Sequence, residues 1–318
     1  MSTTATRLSP AFEDVDAVLA LIRSAGPMWP LANYAGNDAE MAALGSRPAT
    51  FVPPWFRQDF GALGKPLVDG AELLLDNPRF IDAAHGVYGE GCVVRPSNAY
   101  VNIMGPTPFP FTPHLDVPAF RGFTRADHPI WLLKLMMNSG LFEHWRIKIA
   151  TAVSWFYDGE GGDFHYWPDG ADGPEMVESP PFQNVSIVAD NESTFHGVAP
   201  VGPPNVKMVE SINSHSRLVR GEGGWDAIDA DGATIVPFTD DEVRITVSWK
   251  ADIFLSADEA QLADSGSDTL DTARVIKLFQ ADLEARGVAI DLPEDPIHTE
   301  EWVALIAATY PEHPPRMR

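Results

Sequence analysis

Residues 147–167 read IKIATAVSWFYDGEGGDFHYW. From Ile147 to Tyr157 the chain is crowded with β-branched and aromatic side chains, the composition of a buried strand. Asp158 to Gly162 is a turn string, and Asp163 to Trp167 is a second strand. Working outward, Gln183–Ala189, Val206–Ile212 and Val243–Phe254 carry the same texture downstream. Upstream, Cys92–Arg95 and Ala99–Ile103 are expected as strands separated by Pro96. Pro106, Pro108, Pro110 and Pro113 break regular structure up to His114, and Pro129–Glu143 reads as a helix. Strands that do not alternate with crossover helices favour an antiparallel barrel or sandwich over a parallel sheet.

Both ends of the chain read as helical. Phe12–Ser24 is amphipathic, with Ser9 as the expected N-cap and Pro10 in the first turn. Asp38–Leu44, Pro54–Leu63 and Val68–Leu75 carry shorter helical patterns. Asp258–Ala263, Thr269–Arg286 and Thr299–Ala308 follow the last strand. Asn213–Glu242 is polar and repeats the Gly-Glu-Gly-Gly string at 221–224, so it is expected as an inserted hairpin or lid. The expected organisation is one domain over 1–318. It has a helical part (1–91), a β core (92–254, with the insertion 213–242) and C-terminal helices (255–318).

Charge and cysteine content narrow the function. Lys plus Arg number 22 against 45 Asp plus Glu, a net charge of −23, which repels phosphate backbones and anionic membrane surfaces. No nucleic-acid or membrane partner is expected. Cys92 is the only cysteine, so cysteine-based zinc sites are excluded, and within an apolar strand it reads as core rather than as a nucleophile. No secretory leader or apolar span of transmembrane length is evident, and a cytoplasmic location is expected. Neither a Gly-x-x-x-x-Gly-Lys-Ser/Thr loop nor a Gly-x-Ser-x-Gly turn is present.

Pro113-His114-Leu115-Asp116 carries the strongest chemical signal. A His and a carboxylate two apart on extended backbone project to one side, as two ligands of one metal must. His298-Thr299-Glu300 repeats the spacing, but it opens a predicted helix. Downstream of His114 lie the quoted strand and its Gly-Gly turn, then Phe195-His196-Gly197-Val198-Ala199-Pro200-Val201, and last Arg244-Ile245-Thr246 on a late strand.

In that order the elements resemble the Fe(II)/2-oxoglutarate-dependent dioxygenase superfamily. The resemblance covers about residues 92–254. It implies a double-stranded β-helix (jelly-roll, cupin-like barrel) flanked by N- and C-terminal helices, mainly β with a helical jacket (α+β). It also implies His114, Asp116 and His196 as Fe(II) ligands, a set of two imidazoles and one carboxylate that leaves three positions for 2-oxoglutarate and O2. Arg244 would bind the distal carboxylate of 2-oxoglutarate, with Thr246 as a hydroxyl donor on the same strand face. Many members place the basic residue nearer the distal His, where this chain offers Lys207, so the two cations compete for that role. His165 and His215 are the rivals of His196. Halogenating relatives carry a small residue where this chain has Asp116, which disfavours halogenation.

The implied activity is hydroxylation of an unactivated C–H bond in a small or amino-acid-like molecule, with 2-oxoglutarate converted to succinate and CO2. Desaturation and ring formation belong to the same chemistry. Phe111, Trp155, Tyr166 and Trp167, together with Phe109, are candidate substrate-pocket walls. The alternatives are a cupin-type metal oxygenase without 2-oxoglutarate and a non-catalytic jelly-roll binding protein. Substrate identity and oligomeric state are not legible in the sequence.

Overall fold

The computed structural model describes residues 5–31, 52–288 and 291–317. Its centre is the stretch quoted above, in which Arg146–Tyr157 forms β8 and Phe164–Trp167 forms β9. β8 lies inside a nine-stranded sheet. The order across it is β1 (Ala5–Leu8), β11 (Phe182–Ala189), β8, β16 (Arg244–Phe254), β5 (Val93–Met104), β3 (Trp55–Ala62) and β2 (Trp29–Pro30). β4 (Lys65–Pro66) adds to β3, and β7 (Ala119–Phe120) to β8. β9 belongs to a second sheet, in the order β10 (Met176–Glu178), β9, β12 (Phe195–Val198) and β6 (Phe111–His114). Pairing within both sheets is antiparallel among the described residues.

The central strands are buried on both faces, and the two faces differ in chemistry. On β16, Ile245, Val247, Trp249, Ala251 and Ile253 join the main apolar cluster. That cluster also takes Val18, Leu21 and Ile22 from helix α1 (Val15–Ser24), Leu74 and Leu75 from α2 (Glu72–Leu75), and Phe80, Ala83 and Ala84 from α3 (Pro78–Tyr88). Trp249 fixes this layer twice, donating Nε1–H to the Leu75 carbonyl at 2.7 Å and packing on Phe80 at 5.5 Å between centroids. Burying a large apolar side chain of this kind contributes roughly 2–3 kcal/mol. The alternate residues Arg244, Thr246 and Ser248 face the other way, into a cavity that the second sheet also lines.

Helix ends follow side-chain chemistry. Asp14, not Ser9, caps α1, accepting from the Ala17 N–H at 2.9 Å. Asn77 caps α3 ahead of Pro78 and also donates to the Ala11 carbonyl at 3.0 Å. Helix α4 (Ile130–Ser139) stops at Gly140, short of the expected Glu143. Downstream lie α5 (Ala257–Ser265), α6 (Thr272–Ala285, capped by Asp271) and α7 (Glu300–Thr309). Leu132, Met136, Phe142, Phe279, Leu283, Trp302 and Ile306 form their separate apolar cluster.

Several expectations are corrected. Pro54–Leu63 is not helical but supplies β3. Phe56 and Phe60 are both buried there, and a separation of four satisfies a strand period of two as well as a helical period of 3.6. The Val68–Leu75 pattern shortens to α2. The two strands expected around Pro96 are one strand, β5, which takes up the proline where the register shifts opposite Lys250 and Ala251. β6 forms at the end of the proline-rich run. Val206–Ile212 forms no strand. Pro203 and Pro204 lead into a turn closed by the Val206 N–H on the Pro203 carbonyl, and Lys207 is exposed. Asp38–Leu44 lies outside the described residues.

The stretch expected as an inserted hairpin or lid is an antiparallel meander of β13 (Arg217–Arg220), β14 (Gly224–Ile228) and β15 (Thr234–Thr239), which agrees with the hairpin expectation. Leu218, Trp225, Ala227 and Phe238 sink into the main core, and no residue of 213–242 lines the cavity between the sheets.

Candidate metal centre

Antiparallel pairing of β6 with β12 sets His114 directly opposite His196. The strands meet closely at Gly197, where an added Cβ would lie 2.8 Å from the Phe111 carbonyl oxygen. The two imidazoles end 4.4 Å apart between centroids and are inclined by 53°. His114 Nδ1 lies 2.9 Å from the Thr112 carbonyl, and His196 Nδ1 lies 3.0 Å from that of Thr194. A carbonyl only accepts, so both Nδ1 atoms carry the proton, and each ring turns the lone pair of Nε2 outward.

Asp116 lies two residues beyond β6. Its backbone N–H donates to the Asn191 carbonyl at 2.9 Å. Its Oδ1 lies 3.8 Å from His196 Nε2, and its Oδ2 accepts from Lys250 Nζ at 2.7 Å. One ligand atom from each of His114, Asp116 and His196 falls within 4.8 Å of the others.

The electrostatics favour the metal-ready protonation state. Burial raises the Asp116 carboxyl, but Lys250, His196 and His114 together hold it well below the usual carboxylate range. Burial, and next the adjacent His114, lower His196 to about 4, so its imidazole is neutral at pH 7. Neutral nitrogen donors with one carboxylate suit a borderline divalent ion such as Fe(II), and no thiolate is in the set.

Arg244 opens β16 and lines the same cavity at 1% exposure. Its Nε donates to the Gly162 carbonyl at 2.8 Å and its Nη1 to Thr246 Oγ at 2.7 Å. Among the described residues, Nη2 is buried without a hydrogen-bond partner, as is Nε1 of Trp155, the cross-strand neighbour of Thr246. Burial lowers the guanidinium to about 9, which leaves it charged at pH 7. A buried cation with an N–H to spare fits an incoming carboxylate, since such a group is stable only when paired and hydrogen-bonded. Gly162 lies in the turn between β8 and β9 at φ +74°, where a Cβ would stand 2.9 Å from Arg244 Cδ.

The other sequence candidates divide. Phe111 and Trp155 line the cavity. Tyr166 and Trp167 do not. Tyr166 is packed in the core beside Phe164, and Trp167 lies on the opposite face of β9, 6.5 Å from the His165 ring. His165 is engaged by Glu175 at 2.9 Å. Lys207, His215 and Phe109 are also absent from the cavity wall. Burial raises the Cys92 thiol, as its core reading requires.

Seven polar residues near the site escaped the sequence reading: Lys250, Tyr100, Asn102, Arg57, Thr151, Asn191 and Ser248. The Arg57 guanidinium stacks 3.4 Å from the Tyr100 ring centroid. A signal for Lys250 was present, because it continues the even-numbered face of Arg244, Thr246 and Ser248.

No protein-family model matches the chain, and no curated protein does. Solved structures do match. An oxidoreductase of the 2OG-Fe(II) oxygenase family from Burkholderia pseudomallei is 15% identical, with 74% of this chain and 88% of that one covered and a TM-score of 0.34. A prolyl-4-hydroxylase from Pseudomonas putida is 14% identical, with coverages of 79% and 93% and a TM-score of 0.38. HygX from Streptomyces hygroscopicus, solved with nickel, 2-oxoglutarate and hygromycin B, is 10% identical, with coverages of 79% and 83% and a TM-score of 0.36. Among the described residues, no helix is long and apolar enough to cross a membrane.

Proposed function

We propose that this chain is an Fe(II)- and 2-oxoglutarate-dependent oxygenase that hydroxylates an unactivated C–H bond of a small or amino-acid-like molecule. One observation carries the reading. A single cavity contains both the three converging ligand residues and a buried guanidinium with an unpartnered N–H. His114, Asp116 and His196 would hold the iron, and Arg244 with Thr246 would hold the distal carboxylate of 2-oxoglutarate. When bound, iron, 2-oxoglutarate and O2 together supply an oxidant strong enough to attack a C–H bond, with succinate and CO2 as co-products. The chain's own part is to orient and to exclude water. The carbonyls of Thr112 and Thr194 hold the imidazoles in one tautomer, and the two sheets close the cavity with Phe111, Met104, Val153 and Trp155 among its walls.

We read the two facing sheets as the halves of a jelly roll over 92–254, carrying the helices as a jacket within one domain. The unpartnered Arg244 Nη2 favours this reading over a cupin-type oxygenase, which needs no such anchor, and over a binding protein with structural histidines. The test is an anaerobic titration. Fe(II) should bind at one equivalent, and adding 2-oxoglutarate should produce the weak visible charge-transfer band of the chelate. Iron binding without the band would favour the cupin-type alternative. Failure to bind iron would refute the metal centre.

A further inference from the structure

Lys250 has no part in the chemistry assigned so far, yet it donates a hydrogen bond directly to the carboxylate of the candidate centre. It lies on β16 on the same face as Arg244, directly across from Thr151 on β8. Its Nζ stands 2.7 Å from Asp116 Oδ2 and 3.2 Å from Thr151 Oγ. Both ends of the ion pair are withdrawn from solvent, at 14% and 18% exposure. Asp116 is therefore held at two points, its backbone N–H by the Asn191 carbonyl and its Oδ2 by Lys250. Oδ1, the atom turned toward His196 Nε2, is the one left for a cation.

We propose that Lys250 is a positioning residue for the metal-binding carboxylate, restricting Asp116 to one donor oxygen and placing a positive charge against it. The inference rests on the metal-centre reading. A carboxylate with both oxygens free can take two positions on a metal. With Oδ2 committed to an ammonium it takes one, which keeps room for a bidentate cosubstrate. The ammonium also opposes a second cation nearby, so the site is tuned for a metal held less tightly than its donors alone would hold it. Thr151 aims the ammonium by accepting one of its three N–H bonds.

The test uses Co(II) as the probe, with affinity and visible ligand-field spectrum as readouts independent of turnover. Lys250→Met removes both the charge and the hydrogen bond. Lys250→Gln keeps an N–H donor without the charge. Both variants should bind Co(II) about tenfold more tightly than the wild type, because the opposing charge is gone. Lys250→Met should also show a changed ligand-field spectrum and weaker 2-oxoglutarate binding to the Co(II) form, whereas Lys250→Gln should keep the wild-type spectrum. If Lys250→Met does not fold, the tighter affinity of Lys250→Gln carries the test alone. Unchanged affinity in both variants, or loss of Co(II) as complete as in Asp116→Ala, would overturn the proposal. Wild-type protein that binds no Co(II) would instead bring down the metal-centre reading, and this inference with it.

Discussion

Arg244 and Lys207 are the two cations downstream of His196 that competed for the distal carboxylate, and the fold treats them in opposite ways. Arg244 is buried in the cavity wall with one nitrogen unpartnered, while Lys207 is exposed away from it. Arg244→Leu is therefore expected to raise the Michaelis constant for 2-oxoglutarate by ~100-fold or more, from about 3 kcal/mol of lost charge-assisted hydrogen bonding. Lys207→Leu should change it by less than about fivefold, since exposed charges contribute little. Steady-state kinetics with varied 2-oxoglutarate separates the two, and the reverse ranking would move the anchor. Asp116→Ala should abolish metal binding. It also strands the partly buried Lys250 ammonium, so urea unfolding of the metal-free variant should show a loss of about 3 kcal/mol. A variant that still binds metal at one equivalent would exclude Asp116 as a ligand.

At the scale of elements, the turn between β8 and β9 joins the sheets and shapes the anchor. Gly162 accepts the Arg244 Nε–H at its carbonyl and leaves no room for a Cβ beside Arg244 Cδ. Gly162→Ala should displace the guanidinium, weakening 2-oxoglutarate binding while Co(II) affinity stays at the wild-type value. An equal loss of both would mean that the substitution disturbs the whole cavity. The meander of β13, β14 and β15 belongs to the same scale. Trp225 is fully buried in the main core, so Trp225→Ala is expected to cost about 3–5 kcal/mol in urea unfolding. A mobile lid would tolerate that change with little loss.

For the whole molecule, the C-terminal helices are tied through Asp268, between α5 and α6, to the segments that flank β7 and β8. Its carboxylate accepts from Trp145 Nε1 at 2.9 Å, Arg121 Nη2 at 3.0 Å and His144 Nε2 at 2.7 Å, with Arg274 at 3.4 Å. The Trp145 bond leads, burial opposes it, and His144 and Arg121 add to it, so that the carboxyl is lowered to about 2. A carboxyl depressed in the folded state stabilises the protein above its unfolded pKa of about 3.9, and that contribution is lost as pH falls through the folded value. The difference in melting temperature between wild type and Asp268→Asn should therefore be full above about pH 5 and close by about pH 2. A gap that stays constant over that range would show that Asp268 does not hold the helices through its charge.

The sequence alone made the strand-rich middle legible, because β8, β9, β11 and β16 are dense in β-branched and aromatic residues and their turns carry glycine. Spacing by two on extended chain, which puts side chains on one face, singled out His114 with Asp116, whereas His196 and Arg244 became candidates through the resemblance to the dioxygenase superfamily. Which face becomes cavity and which becomes core was decided only when distant strands paired. Lys250 meets Asp116 across 134 residues of chain, a contact that no local pattern encodes. Trp167 carries the same aromatic signal as Trp155 yet lies on the far face of β9. Phe56 and Phe60 fit helix and strand equally until β5 paired with β3. The polar stretch 213–242 read as an inserted hairpin or lid because its large buried residues, Leu218, Trp225 and Phe238, are too far apart to show a period. Their burial is a product of packing against the main sheet, where apolar area leaves water regardless of how thinly it is spread along the chain.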